Sequence, residues 1–192
     1  FAGAVVVNLL SIFALVGFLY FVSQHLQLVV GLSPMQAGLR LVPGILAMIA
    51  AGLLAVPLAR VLRPAVIISG GMTLAALGYG TIAVFAEPTA LWPFVIAFAI
   101  LGGGIAVAET ISNDMILSTA PPEKAGAAAA ISETAYEIGA VTGTSVLGAI
   151  LLAKYRADVD TPENSGADTS AARETLGGAR TVADRLPTAR AD

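Results

Sequence analysis

Four acidic residues stand inside stretches that are otherwise apolar or small. Glu133 and Glu137 lie four apart within 126–153, and Glu109 and Asp114 lie within 91–117. In a helix, residues four apart share one face. A charge at the centre of a lipid bilayer costs at least about 2.5–3.5 kcal/mol, and acidic residues kept there mark ion pathways and proton relays. Desolvation and a second nearby carboxylate both favour the protonated carboxyl, so such a group can take up and release a proton near neutral pH. Once ionised it attracts cations. A site that holds either a proton or a positively charged ligand couples two gradients. Tyr136 and Thr134 flank the pair, and an aromatic face suits a lipophilic cation; simple packing is the other reading of Tyr136.

Depth sharpens this. From the midpoint of 126–153 and the helical rise, Glu137 falls within roughly 4 Å of the midplane and Glu133 roughly 10 Å toward the start of its segment. The preceding segment runs the other way, which puts Glu109 roughly 7 Å from its own midpoint on that same side. Glu109 and Glu133 are therefore expected at one level. The central parts of the spans contain no Lys or Arg to neutralise them, since Arg40, Arg60, Arg63, Lys124 and Lys154 all fall at segment ends. Asp114 lies nearer the membrane edge, within reach of Lys124 or of Arg60 and Arg63. Asp114, Arg60, Arg63 and Tyr136 are accordingly structural or gating candidates.

The elements that must position these residues follow from composition. Of 192 residues, 57% are hydrophobic and 12% charged, about half the usual charged fraction. One soluble core of this size cannot bury so much apolar surface. An ordinary soluble enzyme, a nucleic-acid binder and a disordered chain are excluded, and an all-α, polytopic membrane bundle is expected. Five segments suit a crossing of about 20 residues: about 1–23, 41–59, 65–86, 91–117 and 126–153. Backbone groups in lipid must be satisfied internally, so the spans are helices. Turn residues separate them at Gly31–Pro34, Arg60–Pro64, Glu87-Pro88 and Ala120–Lys124, which makes successive helices antiparallel. The bundle is expected to cover 1–154. Residues 155–192 are polar and form an extramembrane loop or tail, with 173–186 either a weak surface helix or unstructured.

The remaining signals are smaller. Cysteine is absent and there is one His, which excludes a disulfide framework and a multi-His metal site. No cofactor motif or nucleophile arrangement is present, so neither a cofactor nor an enzyme activity is expected. Three basic residues in the loops at Arg60/Arg63 and Lys124, against Arg40 on the other side, place the former loops in the cytoplasm. Tyr20 and Trp92 suit the membrane interfaces, and His25 falls at the outer end of the first span. Gly102-Gly103-Gly104 and the Gly139/Gly143 pair allow close helix packing, or a surface that slides. The sequence opens on Phe1 without a basic leader, and reads as part of a longer chain.

Two stretches carry a resemblance. Phe21–Pro43 (FVSQHLQLVVGLSPMQAGLRLVP) resembles the start of the C-terminal half of the fourteen-helix drug:proton antiporters of the major facilitator superfamily. Ala120–Gly126 (APPEKAG), with Ser132–Gly139 (SETAYEIG) and Leu147–Ile150 (LGAI), resembles that family's penultimate helix. The resemblance covers about 1–156 and implies helices nine to thirteen of fourteen, with the polar tail as the outer loop before a last helix. It implies a multi-pass protein of the cell's inner membrane, completed by an N-terminal half of the same chain. The implied activity is export of lipophilic, often cationic, drugs or biocides in exchange for protons. The penultimate-helix position implies that Glu133 and Glu137 serve coupling and substrate recognition; Glu109 is added from its level in the membrane. The family's antiporter motif and main proton-site carboxylates belong to the N-terminal half, and the second span here lacks the acidic residue that some members carry. A transporter of one specific metabolite, or a scaffold subunit with structural carboxylates, are the alternative readings.

Overall fold

The computed structural model describes residues 1–85 and 90–158, and among these there are helices and no strands. Five long helices follow in order: α1 (Ala2–Gln24), α2 (Pro34–Leu58), α3 (Pro64–Phe85), α4 (Trp92–Thr119) and α5 (Ala125–Asp158). All five lie in segments long and apolar enough to cross a membrane. The Glu87-Pro88 turn and the polar stretch beyond Asp158, including 173–186, lie outside the described residues.

Three boundaries differ from the apolar spans, each for a local reason. The helical run of α1 continues as a wider π-helical turn over His25–Val29 and ends at Gly31, whose φ of 78° suits a residue without a Cβ. Only two residues then precede α2, which starts at Pro34, well ahead of the apolar run at 41. Ser33 Oγ accepts from Gln36 N at 3.3 Å, and Gln36 Oε1 accepts from Ser33 N at 3.0 Å. This reciprocal cap, with Pro34 at the first helical position, sets the start whatever the polarity of Gln36 and Arg40. Apolarity reports where lipid begins; capping reports where the helix begins. At the other end of the chain, α5 runs through Asp158, beyond the apolar limit at 153.

The bundle is organised around α4, which touches α1, α2, α3 and α5. Its buried residues include Phe94, Phe98, Leu101, Ile105, Ile111 and Ile116. Toward the Gly31 end, Phe18 of α1 stacks on Phe98 at 5.7 Å between ring centroids and meets Tyr79 of α3 edge-on at 5.8 Å. The Tyr79 hydroxyl donates to Ala14 O at 2.7 Å. Lipid offers no hydrophobic drive for helix association, so close packing must supply it. Glycines provide the closeness. A Cβ on Gly71 of α3 would lie 2.5 Å from Gly104 O. The glycine run of α4 is shared between neighbours, because Gly102 faces Met48 of α2 while Gly104 faces α3. On α5, a Cβ on Gly139 or Gly143 would lie 2.5 Å from Leu9 O or Phe13 O of α1.

Candidate functional site

Helix α5 is held along one seam. Its buried positions include Ala128, Ser132, Ala135, Gly139 and Gly143, a spacing of three and four residues that turns one stripe toward α1. At about 100° per residue, Tyr136 lies about 60° to one side of that stripe and Glu133 about 120°, both toward α4. Glu137 lies about 160° away, almost opposite α1. Glu133 and Glu137 are exposed, whereas Tyr136 and Glu109 are half-buried.

This rotation brings three groups together. The Tyr136 hydroxyl faces the Glu109 carboxyl across the α4–α5 boundary, close enough for the two groups to interact electrostatically, and Glu133 lies within electrostatic range of the same hydroxyl. A phenol O–H can donate one hydrogen bond, so Tyr136 is placed to offer its proton toward Glu109, with Glu133 in electrostatic range of the same hydroxyl. Glu137 stands on the outer face, one turn from Glu133. Asp114 is exposed further along α4, and Arg60 and Arg63 are exposed in the turn after α2. The cluster therefore joins Glu109, Glu133 and Tyr136; Asp114, Arg60 and Arg63 lie apart from it.

Beneath the cluster lies a buried polar knot that carboxylate counting misses. Asn8 of α1 and Ser112 of α4 have no exposed surface, and Ser132 of α5 is 4% exposed. Asn8 Nδ2 donates to Ser132 Oγ at 3.1 Å, and Ser112 Oγ donates to Asn8 Oδ1. Ser112 Oγ also lies 3.2 Å from the Glu109 carbonyl, and Ser132 Oγ lies 3.5 Å from Asn113 Oδ1. One side chain thus ties three helices at the level of Glu109 and Glu133. The available signal was Asn8 itself, the one strongly polar residue in the first span. The serines carry no such signal, because a serine in a membrane helix commonly bonds its own backbone. His25 takes a different part: it stacks on Phe94 at 4.5 Å between ring centroids, at the opposite end of α1.

Comparison with known proteins bears on what these groups are for. The family model described as Major Facilitator Superfamily matches residues 1–154. The chain belongs to the major facilitator superfamily. The multidrug efflux pump LfrA of Mycolicibacterium smegmatis is 44% identical over 192 residues, covering all of this chain and 38% of the relative. The methyl viologen resistance protein SmvA of Salmonella typhimurium is 35% identical over 184 residues, covering 95% of this chain and 37% of that protein. A tetracenomycin C resistance and export protein of Streptomyces glaucescens is 33% identical over 164 residues, 82% of this chain and 29% of its own length. The chain thus spans between 29% and 38% of the length of these curated relatives. Family and apolar helices together make it a multi-pass membrane protein of a transporter family.

Proposed function

We propose that this chain is the C-terminal portion of a longer proton-coupled transporter that exports lipophilic, often cationic, drugs or biocides across the cytoplasmic membrane. The observation that carries this reading is the convergence of Glu109, Glu133 and Tyr136 at the α4–α5 boundary. They meet in a bundle whose central spans contain no Lys or Arg. The efflux and resistance names of the relatives support the same reading.

The loops bearing Arg60, Arg63 and Lys124 face the cytoplasm by the positive-inside rule. The carboxyl cluster then sits in the inner half of the membrane, and residues 155–192 lie outside. The open face of α5, carrying Glu133 and Glu137, lines a cavity completed by the rest of the transporter, at the interface where such folds bind substrate. When the cavity opens inward, ionised carboxylates and the Tyr136 ring hold a cationic drug. When it opens outward, protons arriving from outside neutralise the carboxylates and the drug leaves. Return of the protonated site to the inside releases the protons and resets the charge.

The test uses the full-length protein in inverted vesicles, with a quaternary ammonium dye and an imposed pH gradient. Glu109→Gln and Glu133→Gln are each expected to abolish gradient-driven dye accumulation with normal amounts of protein in the membrane. Glu137→Gln is expected to raise the dye concentration needed for half-maximal transport, because Glu137 meets the substrate on the open face. Wild-type accumulation by the Glu109→Gln, Glu133→Gln double variant would remove these groups from the mechanism.

A further inference from the structure

The polar knot has no part in the exchange just described, yet its position is specific. Non-polar packing already closes the α1–α5 seam: Gly139 rests on the backbone at Leu9 and Gly143 on that at Phe13. An asparagine is therefore not needed at position 8 to bring the helices together. What an amide adds is one acceptor oxygen and a donor NH2 on a single short stem, so it can bond two different helices at once. Asn8 does so, taking a hydrogen from Ser112 of α4 and giving one to Ser132 of α5.

Both partners adjoin the acidic residues. Ser132 directly precedes Glu133. Ser112 stands one turn from Glu109, with its Oγ 3.2 Å from that residue's carbonyl oxygen. A serine hydroxyl carries one hydrogen, so Ser112 can bond Asn8 Oδ1 or the Glu109 carbonyl, but not both at full strength. The hydroxyl thus has two arrangements, one linking α4 to α1 and one confined to α4. With no exposed surface at Asn8 or Ser112, water does not compete for either.

We propose that Asn8 is a positioning residue: through Ser112 and Ser132 it sets the separation of Glu109 from Glu133 and thereby the pH at which the site exchanges a proton for a cation. This rests on the exporter reading above. The ionisable groups around the knot are Glu109 on α4 and Glu133 and Tyr136 on α5, with Asp114 exposed two residues beyond Ser112. No ionisable residue of α1 is near: Tyr20 and His25 lie roughly 18 and 26 Å further along the helix. Those of α2 and its following turn are Arg40, Arg60 and Arg63, all exposed. The one on α3, Tyr79, is bonded to Ala14 O.

The test is equilibrium binding of tetraphenylphosphonium to purified full-length protein across a pH series, with dye export in vesicles beside it. Asn8→Leu keeps the branched shape of the side chain and loses both hydrogen bonds; Ser132→Ala loses the bond from Asn8 and the longer contact to Asn113 at little steric cost. Asn8→Leu is expected to reach the membrane in normal amount and still bind the cation. Its pH of half-maximal binding should be displaced by on the order of half a pH unit. Ser132→Ala should move the midpoint the same way by less. Binding curves for both variants that superimpose on wild type would overturn the proposal while leaving the exporter reading intact. So would loss of membrane protein with the midpoint of the remainder unchanged. A wild-type protein that binds the cation equally at every pH would overturn both.

Discussion

Along its length α1 meets its neighbours in two different ways. Toward the Gly31 end the contacts are aromatic: Phe18 on Phe98 and Tyr79, and His25 on Phe94. Toward Phe1 they are directional: Asn8 bonded to Ser112 and Ser132. Stacked rings attract over a range of offsets and angles, so that half holds the helices together with a single directional bond, from the Tyr79 hydroxyl to Ala14 O, beside the rings. Hydrogen bonds demand particular distances and fail when atoms move by a fraction of an ångström. The carboxyl cluster is found in the directional half. A charge-exchange site needs atoms placed finely relative to one another, and the aromatic half supplies the cohesion that leaves the polar half free to do so.

Breaking each half should therefore give different phenotypes. The largest expected effect is on transport: Glu109→Gln should abolish pH-gradient-driven dye export, read as dye accumulation in inverted vesicles, while thermal stability stays close to wild type. Next is Phe98→Ala, which removes the ring at the centre of the aromatic half. A loss of about 3–5 kcal/mol is expected, read as a lowered unfolding midpoint in detergent, with export per folded transporter largely kept. Gly143→Leu should cost about 1–3 kcal/mol by forcing α5 away from the α1 backbone at Phe13. It should also reduce export, because the seam sets the position of the helix that carries Glu133 and Tyr136. The smallest effect is Tyr136→Phe, which removes the hydroxyl facing Glu109, a polar interhelical contact of about 0.6 kcal/mol. A change of roughly threefold in dye affinity, measured by equilibrium binding, is expected with the ring retained. Should Phe98→Ala cripple export as severely as Glu109→Gln, the division of labour between the halves would be wrong.

Much of this architecture was legible because lipid imposes simple demands. Runs of Leu, Val, Ile, Ala and Gly about twenty residues long can satisfy their backbone in lipid only as helices, and Gly and Pro at their ends separate them. The start of α2 was less legible. Hydropathy is lowered by Gln36 and Arg40, and it outweighed the short-range signal of Ser33 and Gln36, which the structure shows to be a complete cap. For the site, depth along a helix was calculable from residue number, and the structure brings Glu109 and Glu133 to the same tyrosine. Rotation was not calculable. Which way Glu137 points depends on which stripe of α5 meets α1, and that is decided by Gly139 and Gly143 pressing on Leu9 and Phe13. The polar knot was hidden for a related reason: its members are 104 and 124 residues apart in sequence, and serine gives no hint of whether it serves its own helix or another.

The glycine seam between α1 and α5 has a mechanical consequence. At Gly139 and Gly143 no side chain is interposed, so there the two rods touch backbone to backbone and resist tilting independently. A pull exerted on the ionisable wall by an incoming guest is thus delivered to α1 undamped, rather than absorbed by soft, rotatable groups. Whatever rocking the complete protein performs, these two rods should travel as one stiff lever.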